Sequence, residues 1–196
     1  MAAKRLIVAG GGMAGLAAGV RARELGARVV VYEKGDRPGG SMLLSSCVIW
    51  RHREWDDFRA ECPGGDEALQ RLVWERLDDA IAWLESLGAP VLEHETGNRR
   101  TIGKRFAPRG LTDMLVRAAG DGCVYRHHGS TDATILATGG FQGSPDLVAE
   151  HIDEARETGI EIDNVVDAAN TYAVFLWGPE RVRVEYVEHK PTFSLT

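Results

Sequence analysis

The sequence predicts an α/β protein: a parallel sheet flanked by helices, with a small additional β-hairpin toward its C-terminal end. Three observations carry that expectation. A short apolar run, Leu6-Ile7-Val8-Ala9, leads straight into Gly10-Gly11-Gly12 and an Ala- and Leu-rich stretch. A β-branched run, Val29-Val30-Val31-Tyr32, follows soon after Gly26, and a third apolar run, Ala133-Thr134-Ile135-Leu136-Ala137, lies far downstream. Continuous apolar segments of this length, bounded by glycine turns, are the pattern of strands buried on both faces of a parallel sheet.

Taken in order, the first run is a strand and the stretch from Met13 to Leu25 a helix, with Leu16, Val20, Ala17 and Glu24 marking one face and Gly26 ending it. Ala27 to Glu33 is the second strand, which completes a βαβ unit. Residues 34–65 read as loop, opened by Lys34-Gly35-Asp36-Arg37-Pro38-Gly39-Gly40-Ser41 and closed by Cys62-Pro63-Gly64-Gly65. Asp66 is placed to cap a long helix that runs to Leu87 and stops at Gly88. Its apolar positions Leu69, Leu72, Val73, Leu77, Ala80, Ile81, Leu84 and Leu87 step by threes and fours, so one buried stripe is expected. Residues 111–119 form a shorter helix of the same kind. Asp132 to Ala137 is a further buried strand, and Ser144-Pro145 starts a helix expected to reach about Thr158. Tyr172–Trp177 and Arg181–Glu188 flank Gly178-Pro179-Glu180 as the two arms of the hairpin.

Composition narrows the function classes. The 196 residues carry 23 basic and 29 acidic side chains, a net charge of -6, which argues against a general nucleic-acid or membrane-surface binder. No apolar run approaches the roughly 20 residues of a membrane span. The chain enters its first strand too soon after Met1 for a signal peptide, so a cytoplasmic location is expected. Cys47, Cys62 and Cys123 are scattered and form no CxxC pair, so neither a disulfide framework nor a metal site is expected.

The strongest chemical signal is Gly10-x-Gly12-x-x-Gly15, directly after a strand and opening a helix. The first glycine permits a tight turn, the second clears a place where pyrophosphate approaches the backbone, and the third lets helix and strand pack closely. Met13, Ala14 and Gly15 then present N–H donors at the positive end of a helix dipole. Glu33, at the end of the second strand, is placed to accept hydrogen bonds from an adenosine ribose. This is the grammar of a dinucleotide site on a Rossmann-type sheet. The turn alone suits an NAD-dependent dehydrogenase as well as a flavoprotein.

Two further segments bear on that choice: Glu33-Lys34 continuing to Pro38-Gly39-Gly40-Ser41, and Leu136-Ala137-Thr138-Gly139-Gly140-Phe141. Together with Val8 to Ala18, these resemble the FAD-binding domain of the fumarate reductase/succinate dehydrogenase flavoprotein family, in particular its soluble 3-ketosteroid dehydrogenase-like branch, in shortened form. The resemblance implies FAD as cofactor. It implies that Gly39, Gly40 and Ser41 run beside the pyrophosphate toward the flavin, with Ser45 and Ser46 in reach of its polar edge. It places Ala137, Thr138 and Gly139 under the cofactor. The implied activity is an FAD-dependent oxidoreductase that moves a hydride between flavin and a carbonyl- or carboxylate-activated carbon of a small-molecule substrate. The likeness is close over 4–50, looser over 66–150 and absent from the last 40 residues or so. A shortened, non-catalytic nucleotide-binding remnant therefore stands beside the enzyme as an alternative. The expected organisation is an FAD-binding body over 1–160, its core at 4–48 and 130–158 around a helical insertion at 49–128, followed by a hairpin tail over 161–196.

No catalytic residue can be placed from the sequence. Arg99, Arg100, Lys104, Arg105 and Arg109 form a basic stretch with no acid between Glu95 and Asp113; it reads first as a solvated loop, and otherwise as a holder of carboxylate or phosphate. His94, His127 and His128 read as surface residues, and Trp50, Trp55, Trp74 and Trp83 as packing rather than flavin stacking.

Overall fold

The computed structural model describes residues 3–120, 123–125, 133–139, 162–167, 171–177 and 183–189. The βαβ unit is present, each element within one residue of its expected bounds. Strand β1 (Arg5–Ala9) leads into helix α1 (Met13–Glu24) and strand β2 (Arg28–Glu33). Strands β1 and β2 are parallel, with Val8 opposite Val31. On the other side of β1 lies a third strand, Ala133–Leu136, also parallel, with Ile135 opposite Val8. A fourth, Cys123–Tyr125, pairs in parallel with β2.

Helix α1 sits close on this sheet because it turns small residues toward it. Its buried positions are Gly15, Leu16, Gly19 and Val20. A Cβ at Gly19 would stand 3.0 Å from a Val31 methyl, so this glycine sets the helix-to-sheet distance. Val8, Leu16 and Val31 are almost wholly removed from water beneath it. Glu24 faces outward instead, bonded to Arg21 and, at 3.1 Å, to the Trp83 indole N–H.

Residues 34–65, expected as loop, contain a 3₁₀ turn (Gly40–Leu44), strand β3 (Val48–His52) and helix α2 (Trp55–Glu61). Next come helix α3 (Glu67–Ser86), strands β4 (Val91–Glu93) and β5 (Thr101–Phe106), and helix α4 (Pro108–Ala119). In chain order the two further sheet strands are then β6 (Cys123–Tyr125) and β7 (Ala133–Leu136), so the parallel sheet runs β6-β2-β1-β7. Segment 49–128, expected as helical, thus also contributes a small sheet of order β3-β5-β4. Gly103 makes that sheet possible, since a Cβ there would overlap the carbonyl oxygen of Ile49. The Phe106 N–H donates to the Cys47 carbonyl at 3.0 Å, tying β5 to the start of β3.

Asp66 caps α3 as expected, its carboxylate accepting from the Leu69 N–H at 2.9 Å, and Gly88 stands just past the end of the helix. The apolar stripe is only half buried, however. Ile81 and Leu84 are in the core, whereas Leu69, Leu72 and Val73 are 54–61% exposed. Periodicity identifies which face of a helix is apolar; it does not say where the body packed against that face ends. Strand β7 departs from expectation in the same way. Among the described residues it is the last strand on its side of the sheet, and Leu136 is 80% exposed rather than buried.

The chain divides into two compact units, residues 1–51 with 76–139, and residues 52–75 with 140–196. In the first, the core is completed by Phe106, Leu111, Met114 and Leu115. In the second, Trp55 packs edge-on against Trp74 and Phe58, with the Arg71 guanidinium 4.0 Å over the Trp55 ring. The Trp74 indole donates to the His52 carbonyl at 2.9 Å. Trp55 and Trp74 are packing residues, as expected, while Trp50 is 47% exposed. The second unit also holds a three-stranded antiparallel sheet made of β8 (Ile162–Asp167), β9 (Thr171–Trp177) and β10 (Arg183–His189), ordered β10-β9-β8. The expected hairpin is its β9–β10 pair, with Trp177 opposite Arg183. The helix expected from Ser144 lies outside the described residues. Among the described residues no helix is long and apolar enough to cross a membrane.

Candidate functional site

The three glycine-bearing segments, far apart in sequence, meet at the end of β1. Gly10 donates to the Tyr32 carbonyl at 2.7 Å, and Ala137 donates to the Ala9 carbonyl at 2.8 Å. Gly39 donates to the Gly11 carbonyl at 2.8 Å, and Gly12 and Gly39 form a parallel bridge. The first glycine turn is thereby flanked by Pro38-Gly39-Gly40 on one side and Ala137-Thr138 on the other.

Each glycine has its own reason. Gly10 has φ +110°, which strains any residue with a side chain, and a Cβ there would overlap the Ala137 carbonyl oxygen. Gly39, at φ +119°, would drive a Cβ into the Leu43 side chain at 2.6 Å. A Cβ on Gly15 would overlap the Gly10 carbonyl oxygen, so this glycine seats the helix on the turn.

Gly12 differs. Its backbone is extended, φ −79° and ψ −174°, which any residue adopts. Among the described residues a Cβ there would meet only the Gly39 carbonyl oxygen, at 3.9 Å. Neither its conformation nor the packing of the described residues demands a glycine at 12. The space it leaves lies at the opening of α1, where the first backbone bond runs from the Leu16 N–H to the Gly12 carbonyl. The amides of Met13, Ala14 and Gly15 therefore have no acceptor in a preceding turn. No side chain caps them, and no acid stands in the first turn to repel an anion. An open, side-chain-free position beside uncapped amides at the positive end of a helix fits a diphosphate.

Glu33 ends β2 beside this turn. One carboxylate oxygen accepts from the Gly11 N–H at 2.8 Å and the other from the Gly35 N–H at 2.8 Å. A carboxylate offers about four lone-pair positions, so each oxygen keeps capacity for a hydroxyl donor. Lys34, Gly40, Ser41, Thr138 and Gly139, in the segments that meet at this turn, are solvent-exposed. Ser45 is exposed too, but its hydroxyl donates to the Met42 carbonyl and accepts from the Cys47 N–H, both at 3.0 Å. That fixes its proton within the chain and leaves it acceptor capacity.

The basic stretch is not an uncompensated patch. Lys104 pairs with Glu85 at 2.6 Å, and Arg105 pairs with Glu93 at 2.8 Å and reaches the Ser46 carbonyl at 3.3 Å. Its counter-charges come from α3 and β4, earlier in the chain. His94 is exposed, while His127 and His128 lie outside the described residues. Sequence reasoning missed Gly11. It is buried, and a Cβ there would stand 3.0 Å from a Glu33 oxygen and 3.5 Å from the Pro38 ring. The signal was the unbroken Gly10-Gly11-Gly12, one glycine more than the spacing requires.

The model of the FAD binding domain family matches residues 5–131, well over half of the chain. That stretch takes in the glycine turn, Glu33 and Gly39-Gly40, while Ala137-Thr138-Gly139 lies beyond it. A probable fumarate reductase, Ifc3, of Shewanella frigidimarina (strain NCIMB 400) is 25% identical over 138 residues, 59% of this chain and 24% of that protein. The open conformation of a flavocytochrome c3 fumarate reductase has a similar fold, with a TM-score of 0.56 at 20% identity, over 79% of this chain and 37% of that one. A 3-ketosteroid-Δ4-(5α)-dehydrogenase of Rhodococcus jostii RHA1 matches with a TM-score of 0.49 at 15% identity, over 93% of this chain and 44% of that one. The chain spans about a quarter of the curated relative's length. A parallel sheet, a glycine turn that opens onto uncapped helix amides, and a family model that covers the βαβ unit and this turn lead to one conclusion: the chain belongs to the FAD binding domain family, and its cofactor is FAD.

Proposed function

We propose that the chain is an FAD-dependent oxidoreductase of fumarate reductase or 3-ketosteroid dehydrogenase type, acting on a small molecule in the cytoplasm. The carrying observation is Gly12, a side-chain-free position that neither its backbone conformation nor the packing of the described residues requires, at the uncapped opening of α1. Membership of the family and the printed activities of its relatives support the reaction class.

In this reading the amides of Met13, Ala14 and Gly15 hold the pyrophosphate. Gly10 and Gly15 shape the turn that presents them. Glu33 accepts from the adenosine ribose, with Lys34 at its shoulder. Gly39, Gly40 and Ser41 line the path away from the diphosphate, where backbone amides approach a flat ligand closely because no side chains intervene. Ser45 sets the exit of that path through its bonds to Met42 and Cys47. Ala137, Thr138 and Gly139 form the opposite wall. When bound, FAD supplies the two-electron chemistry, exchanging a hydride with a carbon next to a carbonyl or carboxylate.

The test is substrate-dependent reoxidation of the chain loaded with FAD and reduced anaerobically. Fumarate and a 3-ketosteroid with a ring double bond are supplied separately, and the saturated product is measured. Saturated product from one of them is expected. Stable FAD loading without reoxidation by either would overturn the assigned activity and leave a nucleotide-binding module.

A further inference from the structure

We propose that Glu33 is a positioning residue for the diphosphate as well as a partner for the ribose: its carboxylate clamps the glycine turn into its receiving shape before any ligand arrives. The proposal rests on the placement of FAD at this turn and goes beyond it.

Two bonds carry it. The carboxylate spans two backbone amides that belong to different segments, Gly11 in the turn and Gly35 beyond the end of β2, each at 2.8 Å. Gly11 is also fixed from its other side, its carbonyl accepting from Gly39 N–H at 2.8 Å. The residue between Gly10 and Gly12 is thus held at both of its polar groups. Bonds from an N–H to a charged carboxylate are among the stronger ones in proteins. The clamp also explains the extra glycine. A Cβ at 11 would stand 3.0 Å from the very oxygen that accepts its own N–H and 3.2 Å from the Glu33 Cβ, so the Glu33 side chain would have to give. Gly11 is glycine so that Glu33 can reach its backbone. The chain uses a negative charge to shape an anion site, which is favourable only because both oxygens are directed at amides.

A glutamine at 33 is nearly isosteric, yet its NH2 group would face an N–H donor and break one of the two bonds. The full-length chain and its Glu33→Gln variant are compared without ligand by thermal melting and by amide hydrogen exchange at Gly11 and Gly35. Inorganic pyrophosphate and FAD are then titrated into each. The clamp predicts a melting temperature lower by roughly 3–6 °C in the variant and faster exchange at one of the two amides. It also predicts pyrophosphate binding weakened by roughly threefold or more, although a negative charge has been removed. Glu33→Asp, one methylene shorter, retains the charge but not the span, and is expected not to restore pyrophosphate affinity.

Unchanged melting and exchange, with pyrophosphate bound equally or more tightly and only FAD weakened, would confine Glu33 to the ribose and overturn the proposal. Altered melting with unaltered pyrophosphate binding would make the clamp structural only, and overturn its positioning role. If the parent chain bound neither FAD nor pyrophosphate, the cofactor placement would fall, while melting and exchange would still decide whether the clamp exists.

Discussion

Substituting Gly12 and Gly15 in parallel separates binding from folding. At position 12 the backbone is extended and a Cβ has open space, the nearest atom being the Gly39 carbonyl oxygen at 3.9 Å. Alanine there loses a little as an N-cap and gains a little by restricting the unfolded chain, so stability should change by less than about 1 kcal/mol. The same methyl group, and still more the branched side chain of Gly12→Val, occupies the space in front of the α1 amides. Loss of two charge-assisted bonds to the diphosphate amounts to about 3–6 kcal/mol, or roughly 10²- to 10⁴-fold in FAD affinity. At position 15 the order reverses. A Cβ would overlap the Gly10 carbonyl oxygen, so Gly15→Ala forces the helix off the turn and should destabilise the chain by about 1–3 kcal/mol. Thermal melting without ligand and FAD fluorescence titration read the two effects separately. A Gly12→Val protein that binds FAD as tightly as the parent, or that melts as early as Gly15→Ala, would refute the reasoning.

Other outcomes follow from the same structure. Phe106 is fully buried, and Phe106→Ala should destabilise the chain by about 3–5 kcal/mol in chemical unfolding. By contrast Leu72→Gln, on the exposed half of α3, should shift stability by no more than about 0.5 kcal/mol. The Lys104–Glu85 pair is partly exposed, so a double-mutant cycle should return about 0–1 kcal/mol. Burial raises the Cys47 thiol pKa above its usual value, so the native chain should alkylate more slowly at Cys47 than at the less buried Cys62 near pH 8, as mapped by peptide mass. The sign for stability is the same: the folded state resists ionising Cys47, so this contribution is present below the unfolded thiol pKa and lost as pH rises past it.

What could be read from the sequence was local or periodic. The βαβ unit, the Asp66 cap and the β9–β10 pair each announce themselves through signals a few residues long, and each has its expected type. Strand β3 and helix α2 did not, because Val48 to His52 mixes apolar with charged residues and α2 has only 7 of them. Both are stabilised by partners outside the element: the ladder with β5 for one, and the edge-on contact of Trp55 with Trp74 for the other. The compensation of Lys104 and Arg105 by Glu85 and Glu93 was hidden for the same reason. In the site, the motif spacing located Gly10, Gly12 and Gly15 and gave each its own purpose, and the backbone atoms packed against Gly10 and Gly15 show that the fold itself needs those two. The role of Gly11 required seeing where the Glu33 carboxylate points.

The central claim is that this chain holds FAD at the opening of α1. Its most direct test is a visible absorbance spectrum of the purified chain after incubation with FAD and gel filtration, run beside the Gly12→Val variant. A flavin spectrum that co-elutes near one equivalent with the parent chain and is absent from the variant is the expected result. A colourless parent chain, or a variant that elutes equally yellow, would contradict the account.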